Sequence, residues 1–429
     1  MIPAPGSASS RGIMPRRILF VDDEQSILEG LRNRFRRQRR EWEMVFSLGG
    51  DAALAEMKKG PFDVIVSDMR MPGMGGVALL ERVKTEYPRV ARIVLSGQAD
   101  QNNILEVLPF AHQYLSKPCN VDDLRMAIDR ICGLQSLLHD DVILRLIGGL
   151  DKLPSIPQVY WDLTKAIARP NVGLGDLAKI VQTDPAMSVK VLQLVNSAYF
   201  GLARTVSTVA EAVTFLGAEL LRALTLSSRI FSGDAIPAIA GFSMVRLQGD
   251  SLLRARLAKR FVVDPKRADE AFTAALILDI GTIVLAMATP AKLAEIIGLA
   301  RESGRPRHRV EREQLGSTHA EIGAYLQSIW GLPIPMIEAT AYHHTPSSIA
   351  TAGGEVLGAI HVADALIEAA STVGPAGADR LFDRTPQSSE GLDFDFLEGA
   401  SLIPRLPTWR KIAAEELARH GDRTSAQDD

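Results

Sequence analysis

The sequence has few of the features that mark secreted, membrane or nucleic-acid-binding proteins. It contains only two cysteines, Cys119 and Cys132, too few for a disulfide framework and without metal-ligand spacing. The formal net charge of −3 over 429 residues gives no bias toward nucleic acid or a membrane surface. The apolar run around Asp279 is interrupted by that carboxylate, and the first residues, "MIPAPGSASSRG", lack the apolar core of a signal peptide. We therefore expect a cytoplasmic globular protein of two or three domains with a disordered tail over residues 1–15.

From residue 16 to about residue 135, short β-rich runs alternate with helical stretches. The runs are "RILFVDD", "WEMVFSL", "FDVIVSD", "ARIVLSG" and "HQYLSKP". Four of the five are strongly apolar, which suits strands that are covered on both faces. The alternation predicts an α/β domain with a doubly wound, parallel, five-stranded sheet.

The pattern changes after this domain. The helix opening at "NVDDLRMAIDRICGLQSLL" carries apolar residues at steps of three and four, and we expect it to continue to about residue 146 as a connector. Strand-like runs then vanish, so residues 147–370 are predicted to form an all-α domain. Residues 371–429 are predicted to be a C-terminal extension, with an exposed loop from Gly374 to Gly391 and a last amphipathic helix, "TWRKIAAEELARH".

Polar residues follow four of the predicted strands. Asp22 and Asp23 follow the first, Asp68 the third, Ser96 the fourth and Lys117 the fifth. The carboxyl ends of parallel strands meet at one edge of a sheet, so these groups should converge. Crowded carboxylates resist ionisation, and a magnesium ion relieves that repulsion. A carboxylate beside such an ion can attack phosphorus and form an aspartyl phosphate.

Residues 16–135 resemble the receiver domain of bacterial two-component response regulators. The matching motifs are "VDDE", "SDMRMPGMGG", "LSG" and "YLSKP". The resemblance implies a histidine kinase as the phosphoryl donor and a cis peptide before Pro118. It assigns the phosphoacceptor to Asp68, the Mg²⁺ site to Asp22, Asp23, Asp68 and the main-chain carbonyl of Arg70, and the switching and phosphate-stabilising roles to Ser96, Tyr114 and Lys117.

Residues 147–370 resemble the HDOD domain, a relative of the HD-superfamily metal phosphohydrolases. The resemblance is carried by "LPSIPQV", "TDPAMSVKVLQLVNSAYFG", "LILDIG" and the spacing from "HAEIGAYL" through "WGLP" to "HH". Active HD enzymes place a histidine directly before the aspartate that matches Asp279. Here that position is Leu278, the lysine that often follows "DIG" is Thr282, and the expected earlier histidine is Asp250. The remaining metal-site positions are His319, His343, His344 and Asp364.

The loss of the histidine at Leu278 predicts a non-catalytic domain. Two-metal hydrolysis needs a complete, preorganised ligand set, so no metal is expected here. Asp279 is interpreted as a remnant held by hydrogen bonds to His343 or His344. The domain is then expected to act by protein–protein interaction. The resemblance includes partners from cyclic di-GMP signalling and a second copy of the chain among the candidates.

Two other functions remain open from the sequence. One is a metal-dependent HD-type phosphodiesterase acting on cyclic di-GMP or a nucleotide, which could use a residual ion at Asp279, His319 and Asp364. The other is a DNA-binding regulator. For that alternative, "LGDLAKIVQTDPAMSVKVLQLVN" has a helix-turn-helix rhythm but offers mainly Lys190, Gln193 and Asn196 for recognition, and Arg32–Arg40 form a basic cluster.

Overall fold

The N-terminal domain is a five-stranded parallel sheet, as predicted. The computed structural model describes residues 15–96, 110–117, 120–138, 140–150, 153–154, 157–167, 169, 172–196, 204–226, 231–232, 236–349, 354–373, 375–383 and 391–425. The strands are β1 (Arg16–Asp22), β2 (Trp42–Leu48), β3 (Val64–Asp68), β4 (Ala91–Ser96) and β5 (Gln113–Ser116). They lie in the order β2-β1-β3-β4-β5, and every pair is parallel.

Alternate residues of the strands enter two separate cores. In β1, Ile18 and Phe20 pack on one side of the sheet, whereas Leu19 and Val21 pack on the other. The helices that cover these faces are α1 (Gln25–Arg34), α2 (Gly50–Met57), α3 (Gly76–Glu86) and α4 (Val121–Gln135). A short 3-10 helix spans Arg36–Arg40. The continuous apolar runs seen in the sequence therefore reflect strands that are buried on both faces.

The predicted connecting helix is wrong in one respect, because it is broken. α4 ends at Gln135, and a separate helix, α5, spans Asp141–Gly149. The side chain of Asp140 accepts hydrogen bonds from the backbone N–H groups of Val142 and Ile143, which caps the start of α5. The sequence pattern continued through this point because both helices bury apolar residues, and periodicity alone does not reveal a break.

In its described residues, the C-terminal domain is helical apart from one small strand pair. β6 (Leu153–Pro154) and β7 (Phe231–Ser232) are two residues each and pair in parallel. The helices are α6 (Pro157–Ile167), α7 (Leu174–Val181), α8 (Pro185–Val195), α9 (Val209–Leu226), α10 (Met244–Phe261), α11 (Pro265–Leu276), α12 (Ile280–Ala288), α13 (Pro290–Ser303), α14 (Arg307–Leu315), α15 (His319–Ile329), α16 (Ile334–Tyr342), α17 (Glu355–Val373), α18 (Pro375–Arg380), α19 (Phe394–Gly399) and α20 (Leu406–Ser425).

The C-terminal extension is part of this helical domain's core. Trp409 of α20 is buried, stacks on Phe261 and donates a hydrogen bond from Nε1 to the Phe261 carbonyl oxygen. The predicted exposed loop from Gly374 to Gly391 also contains helix α18, whose Ala378 is fully buried. An aromatic side chain that finds both a stacking partner and an acceptor anchors the last helix.

Among the described residues, one segment, Pro265–Ala288, is long and apolar enough to cross a membrane. Of its most apolar window, 83% is buried inside the protein. Helices α11 and α12 share this segment and lie in the helical core, which accounts for its hydropathy.

The two domains pack directly on each other. α4 of the N-terminal domain contacts α15, and α5 contacts α12. The Gln113 side chain of β5 donates a hydrogen bond to the Ser328 carbonyl oxygen at the end of α15. Arg92 of β4 donates a hydrogen bond to the Gly148 carbonyl oxygen from Nη2 over 2.6 Å. The face formed by β4, β5 and α4 therefore contacts the helical domain, and we call it the junction face.

Candidate functional site

The predicted acidic edge is formed at the carboxyl ends of β1 and β3. Asp22 and Asp68 are both buried, with relative exposures of 2% and 8%, whereas Asp23 is exposed. Lys117 Nζ lies 2.9 Å from Asp22 Oδ2 and also forms an ion pair with Asp68 Oδ1. The Arg70 backbone N–H donates a hydrogen bond to Asp68 Oδ2 over 2.8 Å. Two carboxylates and one ammonium group thus meet at one point, although up to 95 residues separate them in the chain.

The electrostatics of this edge are strongly coupled. Burial raises the pKa of Asp68 and outweighs the opposing effect of Lys117, while the nearby charge of Asp22 adds to the rise. Burial would lower the pKa of Lys117, but its hydrogen bonds to Asp68 and Asp22 raise it overall. A cation near Asp68 would favour its ionised form. The oxygen donors of Asp22, Asp23 and Asp68 fit a magnesium ion, which prefers carboxylate and water ligands.

The remaining residues of this edge are placed through their backbones. Ser96 ends β4 and pairs in register with Ser116, and Tyr114 lies in β5 opposite Val94. The side chains of Ser96 and Tyr114, and all of Pro118, lie outside the described residues. Gly76 packs directly on the site strand, since a Cβ at this position would lie 2.1 Å from the Asp68 carbonyl oxygen. Gly76, the second glycine of "MGG", is therefore required by close backbone packing.

A buried arginine lies between two of the predicted remnants in the helical domain. Arg254 of α10 donates a hydrogen bond from Nη2 to Asp279 Oδ2 over 2.7 Å. Its Nε lies 2.8 Å from Asp364 Oδ1, a charge contact without hydrogen-bond alignment. The Arg254 side chain is only 4% exposed. Its guanidinium group thus pairs with both acids that the sequence predicted as remnants of a metal site.

The pKa values of Asp279 and Arg254 depend on each other's charge. Burial would raise the pKa of Asp279, but the charge of Arg254 and a contact with His319 hold it well below its ordinary value. Burial would likewise lower the pKa of Arg254, but the charges of Asp279 and Asp364 raise it overall. Asp279 and Arg254 are therefore both ionised at neutral pH.

His319 connects this centre to a second ion pair. Its Nε2 lies 3.3 Å from Asp279 Oδ1, and its Nδ1 lies 2.6 Å from Glu311 Oε2. Burial would lower the pKa of His319, but the charge of Glu311 raises it to about 9. Arg307 Nε lies 3.0 Å from Glu311 Oε1, and the two cations lower the pKa of Glu311 to about 2 despite its burial. His319 is thus a buried imidazolium with acids at both nitrogens.

The predicted partners of Asp279 are wrong. His343 and His344 do not hold this carboxylate, because Arg254 and His319 occupy its oxygens. Instead, His343 and His344 lie 3.8 Å and 3.5 Å from Asp364 Oδ2. Leu278 lies just after α11 and is fully buried, so it adds to the apolar core of the domain. The guanidinium group of Arg254 lies between Asp279 and Asp364 and forms an ion pair with each.

Two other predicted positions have taken up structural contacts. Thr282 is fully buried and its hydroxyl accepts a hydrogen bond from Arg307 Nη2 over 2.9 Å. Asp250 lies one helical turn before Arg254, is partly exposed and forms a 3.7 Å ion pair with Arg246. Arg254 itself escaped the sequence analysis. The sequence did contain a signal for it: the other residues on the buried face of α10 are small or apolar, and Arg254 is the charged exception.

The "DIG" and "EIG" motifs have a packing explanation. Gly281 of α12 faces α15, and a Cβ there would lie 2.0 Å from the His319 carbonyl oxygen. A Cβ on Gly323 would lie 3.1 Å from the Gly281 nitrogen. The two glycines let the helix backbones touch, which brings Asp279 and His319 within contact distance.

We predict that Gly281→Ala destabilises the helical domain by about 1–3 kcal/mol, because the added methyl group forces α12 away from α15. Gly298→Ala is the matched control, since a Cβ at this position in α13 meets no atom within 4 Å. The control should be neutral or stabilising by up to about 1 kcal/mol, because alanine favours a helix. Urea unfolding of both variants measures the difference, and equal stabilities would contradict the packing explanation.

Four further histidines surround this centre. Burial lowers the pKa of His308 and of His343 to about 4, and that of His344 well below its ordinary value. His361 accepts a hydrogen bond from the Asp393 backbone N–H at Nε2 and lies 2.6 Å from the His343 carbonyl oxygen through Nδ1. These imidazoles are neutral at pH 7, in contrast to His319.

The proposed recognition helix does not present its polar residues to solvent. Lys190 and Gln193 of α8 are 5% and 8% exposed and hydrogen-bond to each other over 3.0 Å. Lys190 also lies over the Trp330 ring, 3.9 Å from its centre. Two of the three residues that the DNA-binding hypothesis assigned to recognition on this helix are therefore buried.

The comparisons with known proteins agree with this two-part architecture. The family model "Response regulator receiver domain" matches residues 18–129, and the model "HDOD domain" matches residues 153–346. Fold and site together define a response regulator of two-component signal transduction. The chain belongs to those response regulators in which a receiver domain is followed by an HDOD domain.

Individual relatives match parts of the chain. An uncharacterized protein of Treponema pallidum is 28% identical over 198 residues, which are 46% of this chain and 38% of that protein. The hydrogenase transcriptional regulatory protein HoxA of Cupriavidus necator is 34% identical over 128 residues, 28% of this chain and 26% of that protein. The chain thus matches less than two-fifths of either relative's length. The crystal structure of the MmoQ response regulator from Methylococcus capsulatus is 23% identical, with a TM-score of 0.44, over 63% of this chain and 97% of that one.

Proposed function

We propose that Asp68 accepts a phosphoryl group from a histidine kinase and that this switches a non-catalytic HDOD domain, which acts by protein–protein interaction. The observation that carries the proposal is the contact of Lys117 with both Asp22 and Asp68 at the edge of the sheet. Each of the three residues came from a different strand end in the sequence, yet their charged atoms meet. That arrangement suits transfer of an anionic group.

The chemistry assigns a role to each of these groups. Asp68 attacks the phosphorus of the phosphohistidine, a P–O bond forms, and the P–N bond breaks with its electron pair going to the imidazole. Lys117 is already paired with Asp68 and would neutralise part of the added charge of about −2. A magnesium ion held by Asp22, Asp23, Asp68 and the Arg70 carbonyl would supply further charge neutralisation. The hydroxyl of Ser96 is the proposed partner of the phosphoryl oxygens.

The junction face supports transmission to the HDOD domain. Tyr114, the proposed switch residue, is next to Gln113, whose side chain hydrogen-bonds to Ser328 of α15. Ser96 and Tyr114 both lie on the strands that form this face. Phosphorylation would therefore shift an equilibrium between two packings of the junction, by no more than its differential stabilisation of the two.

The position of Arg254 supports a non-catalytic output domain. A guanidinium group between Asp279 and Asp364 supplies the positive charge there without the open coordination positions that metal hydrolysis requires. We infer that the domain binds other signalling proteins in the cytoplasm, and cyclic di-GMP enzymes and a second copy of the chain are candidate partners. No observation in the described residues favours an enzymatic or DNA-binding function over this one.

Treatment with a small phosphodonor such as acetyl phosphate should add one phosphoryl group to the full-length protein, measured by intact mass. Asp68→Asn should abolish the addition, because an amide lacks the nucleophilic carboxylate oxygen to which the proposal assigns phosphoryl transfer. Asp51→Asn, an exposed acid at the start of α2, is the control and should be phosphorylated normally.

Affinity capture from the native cell then tests the output. Wild-type protein and Asp68→Asn should capture different sets of proteins after phosphorylation. Phosphorylation that persists in Asp68→Asn would exclude the assigned acceptor, and identical captured sets would exclude the switch.

A further inference from the structure

Three imidazole rings stack beside the Arg254 centre and have no role in the proposed switch. His308 of α14 stacks on His344 with ring centres 3.9 Å apart, and His343 lies on His344 with ring centres 3.8 Å apart. Glu368 of α17 lies beside His308 and His344. One ligand atom from each of His308, His344 and Glu368 lies within 4.8 Å of the other two.

Two ring nitrogens in this stack are buried without a hydrogen-bond partner. They are Nδ1 of His308 and Nε2 of His343. The side chain of His343 is fully buried, and its Nδ1 lies 2.8 Å from the Thr340 carbonyl oxygen. That contact requires Nδ1 to donate, so Nε2 carries a lone pair. A buried acceptor without a partner is costly, and a metal ion would satisfy it.

The donor set indicates the class of ion. Neutral imidazoles with one carboxylate suit zinc and similar transition metals, whereas magnesium and calcium prefer oxygen donors. The Thr340 carbonyl orients the His343 ring as an outer-shell partner does in metal sites. His319 does not belong to this set, because Glu311 and Asp279 engage its two nitrogens. Its Nε2 also lies 3.1 Å from Nε2 of His344, so an ion would either replace this contact or bind His344 through Nδ1.

We propose that His308, His344 and Glu368 bind one zinc-type transition-metal ion, with His343 as the nearest further donor. This site is distinct from the position between Asp279 and Asp364, which Arg254 fills. It departs from the expectation of a metal-free HDOD domain. The ligands come from α14, from the segment after α16 and from α17, so the ion would link two helices and the segment between α16 and α17. The proposal does not depend on phosphorylation of the receiver domain.

Cobalt is the probe, because tetrahedral Co²⁺ with nitrogen ligands absorbs visible light. Untagged full-length protein, stripped with a chelator and held in excess Mg²⁺ to occupy the receiver site, should bind one Co²⁺ per chain with a tetrahedral spectrum, and Zn²⁺ should displace it. Binding should raise the melting temperature, since the ion binds only the folded state. Absence of a cobalt spectrum together with an unchanged melting temperature would overturn the proposal.

Variants locate the ion. His308→Ala and Glu368→Gln should each weaken Co²⁺ binding by at least about tenfold, because each removes a ligand. Glu313→Gln, an exposed acid on the same helix as His308, is the control and should bind as wild type does. Melting temperatures without metal establish that each variant is folded. Wild-type affinity in both ligand variants would place any bound ion elsewhere and overturn the proposal.

Discussion

Replacing Arg254 with alanine should destabilise the HDOD domain by about 3–5 kcal/mol, because it leaves two buried carboxylates without their cation. Asp279 and Asp364 are 8% and 6% exposed, so water would not replace the lost charge fully. Their mutual repulsion would also raise the pKa of at least one of them. Urea unfolding of the full-length protein measures the loss.

A compensated variant separates the charge from the packing. Arg254→Met combined with Asp279→Asn and Asp364→Asn removes all three charges at similar volume, and we expect it to recover most of the lost stability. Manganese should stabilise Arg254→Ala more than wild type, since the two acids released from the arginine provide oxygen ligands. A stability of Arg254→Ala within about 0.5 kcal/mol of wild type would show that the arginine does not neutralise the acids.

Replacing Gly148 with alanine should separate the receiver domain from the HDOD domain at the junction face. A Cβ on Gly148 would lie 1.6 Å from the Pro88 carbonyl oxygen, and that backbone cannot rotate away as a side chain can. The Gly148 carbonyl oxygen also accepts the Arg92 hydrogen bond, so a shift of α5 disturbs both contacts. We expect a loss of about 1–3 kcal/mol, as for overpacking in a core.

The neighbouring residue provides the control for this experiment. Gly149→Ala adds the same methyl group one residue further along α5, where a Cβ meets no atom within 4 Å. It should be neutral or slightly stabilising. Urea unfolding measures the stability of the two variants, and limited proteolysis between α4 and α5 measures how easily the junction opens. Phosphorylation should change the cleavage rate in Gly149→Ala but less in Gly148→Ala. Equal cleavage of both variants would contradict a tightly packed junction.

The receiver domain could be predicted almost completely because its information is local. Each strand is marked by an apolar run, and each functional group of the acidic edge directly follows a strand. Parallel topology then brings those ends together, so the convergence of Asp22, Asp68 and Lys117 follows from strand order alone. The break between α4 and α5 was missed because a single cap, Asp140, interrupts an otherwise continuous apolar pattern.

The HDOD domain was predictable as a family but not as a set of contacts. The motifs around Asp279, His319 and His343 located the region, yet the partner of Asp279 was assigned wrongly. Arg254 lies 25 residues before Asp279, and no spacing rule joins them. His308, Glu311 and Glu368 were likewise absent from the sequence-based site, because single charged residues on helices are usually solvated.

The sequence by itself determined the two domain types, the acidic edge and the loss of the histidine at position 278, since these depend on residue identity and on short-range pattern. Only the tertiary structure decided which charges neutralise one another. Helix packing brings α10, α14, α15, α17 and the start of α12 together from distant parts of the chain, and burial makes each charge depend on the nearest opposite one. That pairing is a property of three-dimensional distance and solvent exclusion, neither of which is encoded by sequence spacing.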